Sequence, residues 1–361
     1  MAASFRFSTD QLHQVAIKLL SELIEIPSFS RDEEKTADHL QAFFEEYEIT
    51  VERKGNNLWV RNQNFDPDKP TILLNSHHDT VKPNEGYTKN PHEAIIEDEK
   101  LYGLGSNDAG GPLVCLIMTF MYFHNHKDLK YNLILAATAE EEISGAGGVR
   151  SILRELGEVD FGIVGEPTQM EMAINEKGLM VLDCYAKGKA GHAARDEGEN
   201  AIYNAMKDIE WFRTYQFPNQ SETLGPVKMS VTVIEAGSQH NVVPDTCHFV
   251  VDVRTTDAYS NEETLEHIRQ HVSCDVKERS TRLQPSRIDK EHELVKAAAE
   301  LGIDTFGSPT MSDQALMPFA TVKIGPGDSN RSHTADEYIY VEELREGILG
   351  YLMLLNKLVK G

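Results

Sequence analysis

Five short segments of this 361-residue chain combine imidazole or carboxylate groups with turn-forming residues. They are Asn75-Ser-His77-His78-Asp79-Thr80-Val81, Gly103-Leu-Gly-Ser-Asn107-Asp108-Ala-Gly-Gly111, Thr138-Ala-Glu140-Glu141-Glu142, Gly165-Glu166-Pro167-Thr168, and the stretch from Gly325 to His333-Thr-Ala-Asp-Glu337. Any one of them alone reads as a solvated loop, and an acidic triplet also suits a plain helix start, where the macrodipole favours negative charge. Taken together they offer nitrogen and oxygen donors of the kind that hold zinc or another borderline divalent ion. Two imidazoles and three carboxylates suffice for two ions sharing one bridging carboxylate.

Such groups need a scaffold that brings them together. Apolar runs at 71–74, 132–137, 161–164 and 321–324 read as buried strands, and four of the five segments follow directly on them. Helical spacing appears between some strands, at 111–123 and 147–156, and near the start, where Ser8-Thr9-Asp10 caps a pattern of Leu12, Val15, Ala16, Leu19, Leu20 and Leu23. Strands alternating with helices predict an α/β fold with a mostly parallel sheet and helices on both faces, whose ligands gather beyond the carboxyl ends of the strands. After Lys177 the order changes to strand (179–187), helix (199–212), two strands (227–235 and 247–254), helix (262–272) and strand (274–278). Strand–helix–strand twice over predicts an inserted ferredoxin-like α+β domain. The expected organisation is discontinuous: 1–177 and 289–361 form a metal-binding domain, and 178–288 is inserted.

Composition narrows the partners. Lys and Arg total 35 against 58 for Asp and Glu, a formal net charge of −23, which repels phosphate backbones and anionic headgroups. Nucleic acid and membrane surfaces are therefore not expected partners. The longest apolar run, 113–123, is far below the roughly 20 residues that cross a bilayer, and the first residues carry no apolar core of a leader segment. Cys115, Cys184, Cys247 and Cys274 are scattered without a paired motif, so neither a disulfide framework nor a cysteine zinc site is expected, and the cytoplasm is the expected compartment. Dinucleotide, nucleophile-elbow, Walker and H-E-x-x-H motifs are absent.

Ser76-His-His-Asp-Thr-Val81, Gly105-Ser-Asn-Asp108, Glu140-Glu-Glu142, Gly165-Glu-Pro-Thr168 and His333-Thr-Ala-Asp-Glu337 resemble, in order and spacing, the dinuclear zinc amidohydrolases and metallopeptidases. That family includes acetylornithine deacetylase, succinyl-diaminopimelate desuccinylase, carboxypeptidase G and aminoacylase, and the resemblance runs nearly the whole length. The Gly-Glu-Pro-Thr and Glu-Glu elements look most like the acetylornithine deacetylase and desuccinylase branch. The resemblance implies a zinc-exopeptidase-like catalytic domain with two Zn2+ per subunit, Co2+ or Mn2+ being similar enough to substitute. His77 and Glu166 would serve one ion, His333 and Glu142 the other, and Asp108 would bridge them. Asp79 would hydrogen-bond the free nitrogen of His77, and Glu141 would be the general base. In the insertion, Gly188-Lys-Ala-Gly-His192-Ala-Ala-Arg195 resembles a lid motif whose histidine reaches the partner subunit's site, which implies a homodimer through that domain. Asn241 and Arg254 match elements that hold the oxyanion and the substrate carboxylate, and Lys177 stands where relatives carry a basic contact.

Three features depart from the pattern. Glu140 stands where relatives commonly have Asp, His78 places a second imidazole beside His77, and Thr310-Met-Ser-Asp313 replaces a Gly-Thr-Ser-Asp loop. The bond Asp108–Ala109 is where the family often has a cis peptide. The resulting expectation is a hydrolase of linear amides acting on an N-acyl amino acid. Candidate substrates are N-acetylornithine, N-succinylornithine, N-acetylcitrulline and N-acetyllysine, in arginine biosynthesis. A dipeptidase or aminopeptidase on the same metals is the alternative within the family. A non-catalytic metal-binding or interaction protein is the alternative outside it, and the presence of Glu141 weighs against that.

Overall fold

A computed structural model of the chain describes residues 7–360. The first six residues, and with them most of the N-terminal segment where no leader was expected, lie outside the described residues. The chain divides into two compact units. The first contains the residues up to Ile174, Ile288–Phe306 and those from Ser312 onward, and the second contains Asn175–Arg287 with Gly307–Met311. The short piece 307–311, grouped above with the metal-binding domain, thus packs with the second unit.

The first unit is built on a mixed, mainly parallel sheet. Six of its nine strands run in the order Val51–Lys54, Asn57–Arg61, Asn132–Thr138, Thr71–His77, Phe161–Val164, Ala320–Lys323. Thr71–His77 is parallel to both Asn132–Thr138 and Phe161–Val164, and Ala320–Lys323 is parallel to Phe161–Val164. Every residue of Thr71–His77 and Asn132–Thr138 is buried, as expected of strands covered on both faces. Alternation divides the side chains: Ile72, Leu74, Leu133 and Leu135 enter the larger core with helices Thr9–Ile24, Gly111–Phe123 and Val341–Val359. Leu73 and Ile134 point the other way, against Trp59, Ile152 and Leu156. Helix Gly111–Phe123 is apolar all round and buried at every residue but Tyr122, which is why its sequence shows no polar face.

The capping expectation at Ser8 holds, with Ser8 and Gln11 forming a reciprocal capping box. The helix expected at 147–156 is instead a 3-10 turn, Val149–Ser151, followed by the single turn Leu153–Leu156. The glycines ahead of it are packing positions. A Cβ on Gly147 would lie 2.3 Å from a Glu140 oxygen, and one on Gly148 2.5 Å from the Ala139 carbonyl. Helices Glu34–Glu46 and Val341–Val359 and the hairpin Val51–Lys54/Asn57–Arg61 had not been marked in the sequence.

The second unit has the sheet order Lys228–Ala236, Thr246–Thr255, Gly178–Lys187, Asp275–Glu278, antiparallel throughout. Helices Ala201–Thr214 and Asn261–His271 pack on one face, where Met180, Leu182, Cys184, Phe249 and Val251 meet Ala205, Phe212, Leu265 and Ile268. This is the ferredoxin-like arrangement. The other face mixes polar side chains with apolar ones such as Val181 and Val250. There Asp183 accepts from His248 Nε2 at 2.9 Å and from Arg279 Nε and Nη2 at 2.8 and 3.1 Å. These partners hold the Asp183 carboxyl down at about 2, against an ordinary 3.8. Because the folded-state value is the lower one, ionised Asp183 stabilises the fold above about pH 4, and that contribution fades as the pH falls toward 2. Asp183→Asn should therefore cost about 0.5–1 kcal/mol at neutral pH, the range for screened surface pairs. It should also flatten the loss of stability between about pH 4 and 2 in urea titrations. An acid profile identical to that of the unmodified chain would contradict this.

Candidate metal centre

The sheet brings the sequence-singled segments of the first unit to one edge. His77 ends strand Thr71–His77, Glu140–Glu142 follow Thr138, Glu166 is two residues beyond Val164, and the segment to His333 follows Lys323. Asp108 lies in the Gly-rich turn just before helix Gly111–Phe123. The bond Asp108–Ala109 is cis, as the resemblance implied.

His77 is the centre of the cluster. Its Nε2 stands 3.3 Å from Asp108 Oδ1, 3.8 Å from Glu141 Oε2 and 3.8 Å from Glu166 Oε1. His333 Nε2 is 2.9 Å from Glu142 Oε2 and 3.7 Å from Asp108 Oδ2. The two oxygens of Asp108 thus face two different imidazoles. On its far side His77 Nδ1–H donates to the backbone carbonyl of Asp79 at 2.9 Å, while the Asp79 carboxylate lies farther off at 3.4 Å. The expected carboxylate–imidazole bond is therefore mainly a carbonyl–imidazole bond, which still fixes the tautomer that leaves Nε2 as a lone-pair donor. The Asp79 carboxylate instead accepts the backbone N–H groups of Glu141 at 3.0 Å and Glu142 at 3.2 Å, and the Ser30 hydroxyl at 2.7 Å.

Burial works against the charges of His77, Asp108, Glu141 and Glu166. It would depress the His77 imidazole, yet Asp108, Asp79, Glu141 and Glu166 together raise it well above its ordinary value. Burial lifts Glu141 well above the usual carboxylate range, with Glu166, Asp313 and Glu142 adding repulsion, and pushes Glu166 up to about 8. The bond to Glu142 raises His333 to about 9. The cluster has an excess of negative charge that a cation would relieve. His77 Nε2 is buried and has no hydrogen-bond partner, although carboxylate oxygens of Asp108, Glu141 and Glu166 stand 3.3 to 3.8 Å from it. Ligand atoms of His77, Asp108 and Glu142, and of His77, Glu141 and Glu166, lie within 4.8 Å of one another. An orphaned nitrogen amid carboxylate oxygens fits a zinc-type divalent ion.

Glu337 was quoted in the sequence but given no role. Its carboxylate accepts the backbone N–H groups of Asn107 and Asp108 at 2.9 Å each and of Gly105 at 3.1 Å, and so fixes the turn that presents Asp108. The only available signal was an acidic residue four positions after His333.

The remaining candidates belong to the second unit. His192 is exposed on a short ladder in which Gly191–His192 pairs with Val242–Val243, and the backbone of Asn241 accepts the Ala193 N–H. His192 and Asn241 are therefore neighbours. Arg254 is forked onto Asp252 at 2.8 and 3.1 Å. Arg254 is in register with Lys228 on one side and Leu179 on the other, and Lys177 lies two residues before Leu179. Burial lowers the Lys177 ammonium, and the charges of Lys228 and Arg254 lower it further. Lys228 had not been singled out in the sequence.

The profile of peptidase family M20/M25/M40 matches residues 73–357. A [LysW]-lysine/[LysW]-ornithine hydrolase of Sulfurisphaera tokodaii is 27% identical over 352 residues, covering 94% of this chain and 95% of that protein. An acetylornithine deacetylase of Myxococcus xanthus is 28% identical over 297 residues, 76% of this chain and 77% of that one. Among solved structures, the aminopeptidase PepT of Bacillus cereus superposes with a TM-score of 0.76 at 17% identity, over 96% of this chain and 98% of that one. A Bacillus subtilis protein described as a dinuclear metal-binding peptidase of family M20 gives 0.70 at 19% identity, over 96% and 98%. With its profile matched along most of its length, this chain belongs to the peptidase family M20/M25/M40 and is a hydrolase of that family.

Proposed function

We propose that the chain hydrolyses the amide bond of an N-acyl amino acid, N-acetylornithine or one of its succinyl, citrulline or lysine analogues, in arginine biosynthesis in the cytoplasm. The observation that carries this reading is Asp108, whose two oxygens address His77 and His333 separately while Glu141 stands beside the first. His77 and Glu166 would hold one Zn2+, His333 and Glu142 a second, and Asp108 both; Co2+ or Mn2+ suit the same donors. Two such cations, when bound, acidify a water and polarise the scissile carbonyl.

This chain's residues do the rest. Glu141, half-buried and raised well above the usual carboxylate range, takes a proton from the attacking water as its oxygen joins the acyl carbon. The same carboxyl passes that proton to the nitrogen as the carbon–nitrogen bond breaks, leaving a carboxylate and an amine. His192, supplied by a second copy of the chain, and Asn241 would stabilise the charge that develops on the acyl oxygen. Arg254 would grip the substrate carboxylate, and Lys177 would meet an anionic acyl tail. Their common face with Lys228 favours substrates that carry carboxylate groups, and an anionic acyl tail such as succinyl has more to gain there than acetyl. Two relatives whose names specify ornithine support the amino-acid side of the reading. Four free cysteines support the cytoplasm.

The homodimer rests on the second unit. Among the described residues, strand Lys228–Ala236 pairs on one side only, with Thr246–Thr255, and exposes Val233 and Ile234. Helix Ala201–Thr214 exposes Tyr203 and Met206 at 66% and 58%. An open strand edge beside apolar side chains suits pairing with a second copy.

Turnover of N-acetyl and N-succinyl ornithine, citrulline and lysine, with a dipeptide as control, tests the reaction. Glu141→Ala should lower kcat by at least about 100-fold with cations still bound. Preferred hydrolysis of the dipeptide, or full activity of that variant, would overturn the assignment. Ile234→Asp should shift sedimentation from dimer to monomer and reduce activity, and a fully active monomer would remove His192 from the mechanism.

A further inference from the structure

The acidic turn after strand Asn132–Thr138 is held in an unusual way. Four successive backbone N–H groups, those of Ala139, Glu140, Glu141 and Glu142, each donate to a side chain from elsewhere in the first unit. Ala139 donates to Asn57 Oδ1 at 3.1 Å, Glu140 to Glu33 Oε1 at 3.2 Å, and Glu141 and Glu142 to the two oxygens of Asp79. Glu140 has φ of +56°, a left-handed conformation that a non-glycine residue keeps only under outside restraint.

Glu33 is 1% exposed, so its charge is supported by hydrogen bonds rather than by water. Oε1 also accepts the Arg31 N–H at 2.5 Å, and Oε2 accepts Asn56 Nδ2 at 2.8 Å. The Asn56 carbonyl in turn receives His78 Nε2–H at 2.8 Å. Thr36 Oγ1 lies 2.9 Å from both His78 Nδ1 and the Glu33 carbonyl, and its single proton serves one of them at a time. These contacts link Glu33, Asn56, His78 and Thr36 into one buried polar cluster. Asn57, next along the hairpin, binds the Gly147 carbonyl at 2.6 Å as well as Ala139. One polar frame thus joins the start of helix Glu34–Glu46, the tip of the hairpin and the end of strand Thr71–His77 to the turn that carries Glu141. His78, which stood outside the family pattern, is one of its corners.

We propose that Glu33 and Asn57 are positioning residues for the reaction: they fix the backbone of the turn and thereby set the Glu141 carboxylate against the attacking water. A carboxylate at position 33 adds negative charge beside an already acidic site. A cap that merely ended a helix would not need it, and Glu33 makes no side-chain bond to the helix it precedes. The inference rests on the hydrolase reading and on Glu141 as base.

The test is steady-state kinetics with the acyl amino acid that the unmodified chain turns over fastest. Bound zinc is counted by elemental analysis and folding is followed by thermal melts. Glu33→Ala should lower kcat by about 10- to 100-fold, the scale of a displacement near 1 Å, with KM and zinc content unchanged. Glu33→Gln keeps an acceptor oxygen for the Glu140 N–H, while a flipped Asn56 amide can meet its NH2, so it should restore most of the rate. Asn57→Ser, too short to reach Ala139, should cost about tenfold in kcat. Unmodified kcat in a folded Glu33→Ala chain overturns the inference, as does a loss that follows KM or zinc content. Should Glu33→Ala not fold, full kcat in Asn57→Ser overturns it equally. An unmodified chain that hydrolyses none of the substrates would instead sink the hydrolase reading itself.

Discussion

Crowded like charges set the terms for this molecule. Half-buried Asp108, Glu141, Glu142 and Glu166 crowd two imidazoles, and loss of water raises the cost of ionising the two glutamates nearest His77. Such a cluster is unfavourable by itself, because like charges held this close repel and water screens them only in part. It persists when the backbone gives the side chains no alternative and when a cation takes up the excess charge. In the structure, the unpartnered His77 Nε2 faces the carboxylates, and the turns that carry Asp108 and Glu141–Glu142 are anchored from outside.

The anchors share one physical device. Where the strands end, the backbone leaves the sheet ladder and its N–H groups must find other acceptors. Here carboxylates supply them. Glu337 takes three N–H groups around Asp108, and Asp79 takes those of Glu141 and Glu142. Charge-assisted bonds of this kind are the stronger sort, so rigidity at the strand ends comes from acidic residues one step behind the site. Part of the acidic character of the chain is therefore architectural rather than a solvated face.

Much of this was legible in the residues. The apolar runs gave the parallel strands because strands buried on both faces need no polar alternation, and the motifs fell at their carboxyl ends as that topology requires. The ferredoxin-like order was visible because each of its elements has a clear period. The helix expected at 147–156 failed because Gly147 and Gly148 are small for the sake of the Glu140 side chain and the Ala139 carbonyl, a tertiary reason that local pattern does not carry. The roles of Glu337 and Glu33 were hidden for a similar reason. Their partners in the site turns are backbone N–H groups more than 100 residues away, which no spacing rule connects. Asp79 was half legible: its place beside His77 followed from the motif, but its hold on the acidic turn did not.

The proposed reaction requires two cations, one on either side of Asp108. Crystals of the zinc-loaded protein, measured on both sides of the zinc absorption edge, test it directly. The account predicts two anomalous peaks per chain, one touching His77 and Glu166, the other His333 and Glu142, each in contact with one oxygen of Asp108. A single peak, or zinc bound away from Asp108, would contradict it.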